Sequence, residues 1–579
     1  MAIRSAFLSL PREVRDEIYG HYVRTDGGYV CDSEMLIART LNVNSSGSSS
    51  SSRAGHLGNV AAVLKRHDGL PIDCGLSLTC KIVAEEMRGL ALRNTITFST
   101  ATSQDFRTRA LHFDILMRSI DLNQEFIFHR TGFTIPDIAR DQLKLAYPQF
   151  SSLLENLKDR YPLAEVLQRR GPYGEAPSQY RAFSREALAA ASVEEIRRDD
   201  NDIRQRFSAW ESAMRCSPDI MPLNTLRIAQ CHVSHWTIPT DDVLNRLKEC
   251  VKPDVAWRLL CAETGRDRSN HRFSAAAVAV HFLQSIPEEL RRQLRSIILD
   301  EDREAMVNPQ CHALDLVPFC KQNPHLRIER RVNLWRNALQ PDPTFDTPSS
   351  RYEATRPPGG LKDRLITRNV SQWVVEALAL ATAGMPPASF ALVLDGQPVP
   401  GLCAEIFQKT VQRDVAWQTT WFESVDRDIV PPTEWFLEQV TWDNPQARVG
   451  HQTGYFYKGF PHAMRDIVEA GSVARCNFDP GETWNVERIV EDHQTWSPEW
   501  WQAAWADHEP KRWFPVAPLP AFKTLLEEDL VPRPGKKKKK LSMAERRRRM
   551  QIETDDLRSW LRRTSGSSRR RHDGGNLRF

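Results

Sequence analysis

The sequence predicts a mainly α protein with some α+β character, divided among several domains. Three observations predict it. The chain has 579 residues, more than one hydrophobic core usually serves. Helical periodicity dominates residues 104–335, as in "SSLLENLKDRYPLAEVLQRR" and "SREALAAASVEEIRRDDNDIRQRFSAWESAM". A proline-rich stretch, "QPDPTFDTPSSRYEATRPPGG", then separates that region from a segment with strand-like patterns.

Taken in order, residues 1–100 hold two helical patterns, interrupted by a serine-rich insertion at 44–56 that has nothing to bury. "TITFS" closes this part with the alternation of a short strand. Residues 101–338 read as a helical domain. Within it "SAAAVAVHFLQSIPEELRRQLRSIIL" reads as two helices, split before Pro287 because proline disfavours helix at the residue preceding it. The linker is 339–362, and a Trp-rich mixed α/β domain follows at 363–525. There "SFALVLDG" looks like a strand entering a turn at Asp395-Gly396. Eleven of the sixteen tryptophans lie between Trp373 and Trp513. Residues 526–579 form a basic, mostly disordered tail.

Composition narrows the function classes. No apolar run approaches the ~20 residues needed to span a bilayer, so no membrane partner is expected. The N-terminus turns charged at once and lacks the pattern of a secretory signal. Eleven scattered cysteines, an odd number, fit reduced thiols in the cytosol or nucleus. The net charge of +4 hides an asymmetry: residues 533–579 carry 17 Lys/Arg against 5 Asp/Glu, and the remainder 61 against 69. An acidic body therefore carries a basic tail. Lys536, Lys537, Lys538, Lys539 and Lys540 form one block, and Arg546, Arg547, Arg548 and Arg549 a second. Such blocks suit the acidic grooves of import receptors, and hence a nuclear as well as cytoplasmic protein; they also suit nucleic-acid phosphates. Ser542 and Glu545 make a capping box for a marginal amphipathic helix between these blocks and the chain end.

At the other end, Ser9 is placed to cap a helix with Pro11 in its first turn. Glu13, Asp16 and Glu17 lie near its positive pole. Val14, Ile18 and Tyr22 make an apolar stripe that Tyr19 and Val23 widen. Downstream, Leu78, Ile82, Val83, Met87 and Leu90 offer a matching face.

Leu10-Pro11, Glu13, Arg15, Ile18 and Tyr19 resemble the opening of an F-box. The two halves together resemble the fungal F-box-like and two-EXR families, which carry one Glu-X-Arg in the LP-led helix and a second in a Cys-containing helix. Here the first is Glu13-Val14-Arg15, and the second is Glu86-Met87-Arg88 after Cys80, more widely spaced than the compact form. The resemblance covers about a sixth of the chain. It implies a small helical fold that docks on a Skp1-type ubiquitin-ligase subunit through Leu10, Pro11, Val14, Ile18 and Tyr19, while the rest of the chain presents substrates. The other reading is that this helix packs only within its own domain.

Motifs of catalysis are not found: no phosphate loop, dinucleotide fingerprint, nucleophile elbow or zinc-protease helix. Cys231, His232 and His235 in "CHVSHW" are the nearest approach to a metal cluster, with only the distant Cys250 to complete it. Cys311 and His312 are adjacent on a helical pattern and so do not face each other. Trp496, Trp500, Trp501 and Trp505 read as core aromatics or as an aromatic pocket. The expectation is a non-enzymatic interaction protein needing no cofactor and no metal, a substrate receptor for a Skp1-type ligase. The alternative is a nuclear nucleic-acid-associated protein acting through its tail.

Overall fold

The computed structural model describes residues 6–43, 63–102, 104–157, 175–193, 196, 224–251, 270–339, 360–361, 363–429, 457, 459–497, 500–501 and 513–528. The chain divides into two units, Met1–Leu530 and Val531–Phe579, and everything described belongs to the first. The serine-rich insertion, the Ser542 capping box and both basic blocks lie outside the described residues.

As expected the fold is mainly helical with a sheet added. Seven strands are described: β1 (Tyr29–Cys31), β2 (Leu64–Arg66), β3 (Thr95–Ser99), β4 (Ser296–Glu301), β5 (Arg327–Asn333), β6 (Phe390–Asp395) and β7 (Ala474–Cys476). They lie side by side in the order β2-β1-β3-β4-β5-β6-β7. Only β2 is antiparallel to its neighbour, β1; every other pairing is parallel.

The helices of the first part are α1 (Arg12–Val23), α2 (Ser33–Val43) and α3 (Lys81–Glu86). Between β3 and β4 come α4 (Gln104–Thr131), α5 (Asp137–Ala146), α6 (Ser151–Asn156), α7 (Pro177–Ala190), α8 (Thr225–Ala229), α9 (Asp241–Cys250), α10 (Ala275–Ser285) and α11 (Glu288–Arg291). Then follow α12 (Val317–Gln322), α13 (Asp363–Thr382), α14 (Pro400–Ile406), α15 (Gln412–Asp426), α16 (Phe460–Val468), α17 (Val486–Asp492) and α18 (Phe522–Glu528). None of the described helices is long and apolar enough to cross a membrane.

"TITFS" and "FALVLD" are strands, as their alternation predicts. The helix expected to run through "RSIIL" is corrected. The chain breaks before Pro287 as expected, but after the single turn of α11 it becomes β4. β5 also falls inside the expected helical domain. With these two strands the sheet joins all three expected domains, and one hydrophobic core runs from Tyr29 to Leu525. The boundaries at 100, 338 and 362 therefore do not separate independent cores.

The winding is simple. Each parallel step moves the same way across the sheet, and right-handed crossovers stepping one way return on one face. Burial alternates accordingly. Ile96, Ile297 and Ile328 are paired neighbours on the helix-covered face, as are Phe98, Leu299, Arg330 and Leu392. On the other face Thr97, Ile298 and Glu329 lie in one row and Ser99, Asp300 and Arg331 in the next, all part-exposed or exposed. An open face is unusual for a parallel sheet, which is ordinarily covered on both sides.

Arg330 interrupts the apolar rows of the covered face. It pairs with Glu301 of the adjacent strand, at 3.0 and 2.6 Å from Nε and Nη2, and both side chains are shut off from solvent. Its remaining N–H groups donate to the Gln310 and Pro309 carbonyls at 2.9 and 2.7 Å, and its guanidinium stacks 4.7 Å over Trp373. Glu301 in turn accepts from the first amides of α10, Ala275 and Ala276. Replacing Arg330 by methionine strands that carboxylate, and Arg330→Met should cost about 3–5 kcal/mol in urea unfolding. Arg330→Met combined with Glu301→Gln should cost clearly less than the two single changes summed.

Candidate functional site

The N-terminal signal resolves into a helix seam. The Pro11 carbonyl accepts the first helical bond, from the Arg15 amide at 3.1 Å, so the proline stands at the cap and α1 starts at Arg12. The capping role expected of Ser9 is corrected: its hydroxyl donates to the Ala6 carbonyl at 2.6 Å and closes the preceding turn. Tyr19 and Val23 of α1 then pack on Val83, Met87 and Leu90, with Phe7 edge-on to the Tyr19 ring.

Glu86 fastens the seam. Arg15 approaches it with both Nε and Nη2, at 3.0 and 2.6 Å, while the Tyr19 hydroxyl donates at 2.7 Å and Arg12 lies at 2.8 Å. The third Arg15 nitrogen reaches back to the Leu10 carbonyl and holds the approach to α1. The Arg15 guanidinium, then the Tyr19 hydroxyl, hold the Glu86 carboxyl down to about 2. Burial first, and the bond to Glu86 second, push the Tyr19 phenol up to about 12. Of the four motif residues the structure thus joins Arg15 of the first Glu-X-Arg to Glu86 of the second. Glu13 and Arg88 stay exposed outside the seam.

The expected docking residues divide. Tyr19 is corrected: it is fully buried and committed to Glu86, so it has no surface to offer a partner. Leu10 is part-buried and Pro11 exposed, while Val14 and Ile18 are 42% and 37% exposed. Leu78 and Ile82, expected in the packed face, also stand in solvent, at 82% and 52%. Each helix therefore buries one stripe and leaves a second apolar stripe beside it.

The other candidates are packed. His235 gives Nε2 to Asp121 at 2.7 Å, and no group of three metal-ligating side chains exists among the described residues. Cys311 and His312 point apart, as their adjacency predicts: the thiol donates to the Asn308 carbonyl, and the imidazole meets Ser274 at 2.7 Å and the Val307 carbonyl at 2.9 Å. The Ser274–His312 pair has the separation of a nucleophile and base. Both are sealed from solvent, however, and the hydroxyl caps α10 by accepting from the Ala277 amide. Trp496 and Trp501 pack with Trp417 and His493 as a small aromatic core. Trp500 turns outward at 67% exposure, and Trp505 lies outside the described residues.

The open sheet face went unrecognised because it depends on pairing that no local pattern announces. It carries Glu329 between Arg331, at 2.6 Å, and Arg475. Partial burial, then the neighbouring Asp302 and Glu301, raise the Asp300 carboxyl to about 6. Compared with known proteins, the chain matches no family model, no curated protein and no solved structure.

Because the folded state holds the Glu86 carboxyl low, its contribution is present above the unfolded carboxylate value of 4.5 and is lost as pH falls through about 2. Hydrogen exchange in α1 should therefore accelerate across that window. Glu86→Gln should speed exchange at neutral pH and flatten the dependence.

Proposed function

We propose that the chain is a non-enzymatic interaction protein that docks on a Skp1-type ubiquitin-ligase subunit through α1 and presents substrates with the rest of its body. The observation that carries this reading is the Arg15–Glu86 pairing. It joins the two halves of the motif on which the F-box-like resemblance rests, and it fixes α1 with Val14 and Ile18 outward. An apolar stripe on a rigidly held helix is a suitable anchor, since a few well-placed apolar side chains carry most of an interface's energy. The open sheet face is the largest surface left for recognition. Any transfer chemistry would belong to the partners. The basic tail would engage an import receptor; a nucleic-acid contact there is the competing reading.

A pull-down of the full-length chain with purified Skp1 tests the docking. Ile18→Asp should lower binding at least about tenfold, since burying an unpaired charge at an interface costs several kcal/mol, and Ile82→Asp shows whether α3 shares the contact. Both positions are exposed, so circular dichroism should be unchanged. Wild-type binding that Ile18→Asp leaves intact, or no binding at all, defeats the proposal.

Removing residues 533–579 separates the readings of the tail. Loss of nuclear accumulation with unchanged Skp1 binding supports import. Loss of a salt-sensitive nucleic-acid complex supports the competing reading.

A further inference from the structure

Helices α8 and α9 bring Cys231 and Cys250 together. Cys231 lies just past α8, and Cys250 is the last residue of α9. Gln124 of α4 pins the first, its amide donating to the Ile228 and Cys231 carbonyls, both at 2.8 Å. The Asn224 amide donates to the Cys250 carbonyl at 3.4 Å and ties the start of α8 to the end of α9. The Cys250 thiol then has two acceptors in reach: the Arg246 carbonyl at 3.6 Å and the Cys231 sulfur. Neither cysteine is in a disulfide; Cys250 is buried and Cys231 part-exposed.

Their surroundings give the two sulfurs different roles. The S–H of Cys250 stabilises the Cys231 thiolate most, and the Val233 amide and the Arg185 guanidinium add to it, against burial and the nearby Asp121. Gln124 and Asp121 hold that guanidinium in place, at 3.1 and 3.2 Å. The same sulfur–sulfur bond and burial keep the proton on Cys250, with Arg227 and Glu249 the nearest charges beyond the pair. An exposed thiolate beside a protonated thiol is the pairing that oxidation to a disulfide requires. Nothing in the docking role uses it.

We propose that Cys231 and Cys250 are a redox-active dithiol that a hydroperoxide converts to a disulfide. The Cys231 thiolate attacks one peroxide oxygen; an S–O bond forms, the O–O bond breaks, and the departing hydroxide takes up a proton to leave as water. Cys231 is then a sulfenic acid. The Cys250 sulfur gives up its proton and attacks the Cys231 sulfur; the S–S bond forms, the S–O bond breaks, and a second water leaves. Two thiols are oxidised by two electrons and one peroxide is reduced to two waters. A dithiol reductant reverses the change.

The full-length chain is treated with a slight excess of hydrogen peroxide, blocked with iodoacetamide, digested without reductant and read by mass spectrometry. The expected product is one cross-linked peptide pair holding Cys231 and Cys250, released by dithiothreitol, with two of the eleven thiols lost. In Cys250→Ser the cross-link should vanish and Cys231 should instead be trapped by dimedone as the sulfenic acid. Should that variant fail to fold, Cys231→Ser serves: Cys250, deprived of its thiolate neighbour, should stay alkylatable through the same treatment. Full alkylation of both wild-type cysteines after peroxide, or a disulfide from Cys231 to any other cysteine, overturns the assignment.

Discussion

Glu301 and Arg330 set the terms for the rest of the molecule. Two ions removed from water in the middle of a sheet cost several kcal/mol each unless every polar atom finds a partner. Here the partners come from everywhere at once: strand β5 supplies the guanidinium, β4 the carboxylate, α10 its first amides, the turn at Pro309–Gln310 its carbonyls, and α13 the Trp373 ring. The positive end of the α10 dipole adds to the arginine's hold on the carboxylate. A pair so placed fixes register as well as energy. Sliding β5 by one residue would send Arg330 to the open face and leave Glu301 buried alone.

The same logic ties the inserted helices to the sheet. Between α4 and α9 the chain leaves the sheet for most of two hundred residues and returns by way of polar contacts made out of solvent. The Val307 amide donates to Asp114 of α4 at 2.8 Å, and the Val307 carbonyl meets His312. Val307 is β-branched and sits at φ 58°, a conformation that such residues avoid. Bonds on both its amide and its carbonyl hold it there. On the far side, Glu376 of α13 accepts from the Ser178 amide at the start of α7, at 2.9 Å. Burial raises that carboxyl, and only the specific bonds at Ser178 and the nearby Arg181 oppose it.

What was legible in the sequence follows from how local each signal is. "TITFS" and "FALVLD" alternate and are bounded by polar residues or glycine, so their type could be read. β1 and β7 are three residues long and have no period to detect. β4 hides behind "EELRRQL", whose single helical turn suggests that the helix continues. The domain boundaries failed for a related reason. A proline-rich stretch reports where the chain loops, but β5 before it and β6 after it are paired neighbours, and only pairing decides whether a loop separates two cores. At the N-terminal site the motif located both halves of the seam. It did not tell which stripe of α1 faces inward, because an apolar stripe looks the same whether it is packed or presented. Arg15 was the signal that could have decided it: a charged residue one position after Val14 and four before Tyr19 turns the buried face toward its partner.

That seam is also not a separable module. Gly89, just past α3, has φ +78°, and a Cβ there would meet Leu290 and Gln293 at 3.0 Å, so the chain after the second motif lies directly against the end of α11. Arg93 bonds Gln293 at 3.1 Å, and the next residues enter β3, which pairs with β4. Any load placed on α1 is therefore passed through Tyr19, Glu86 and Leu90 into the central strands. A docking helix on a flexible tether lets its cargo sample many orientations; one welded to a sheet does not. If α1 docks, the open sheet face is held at one angle to the partner, and what it presents is constrained by the fold itself.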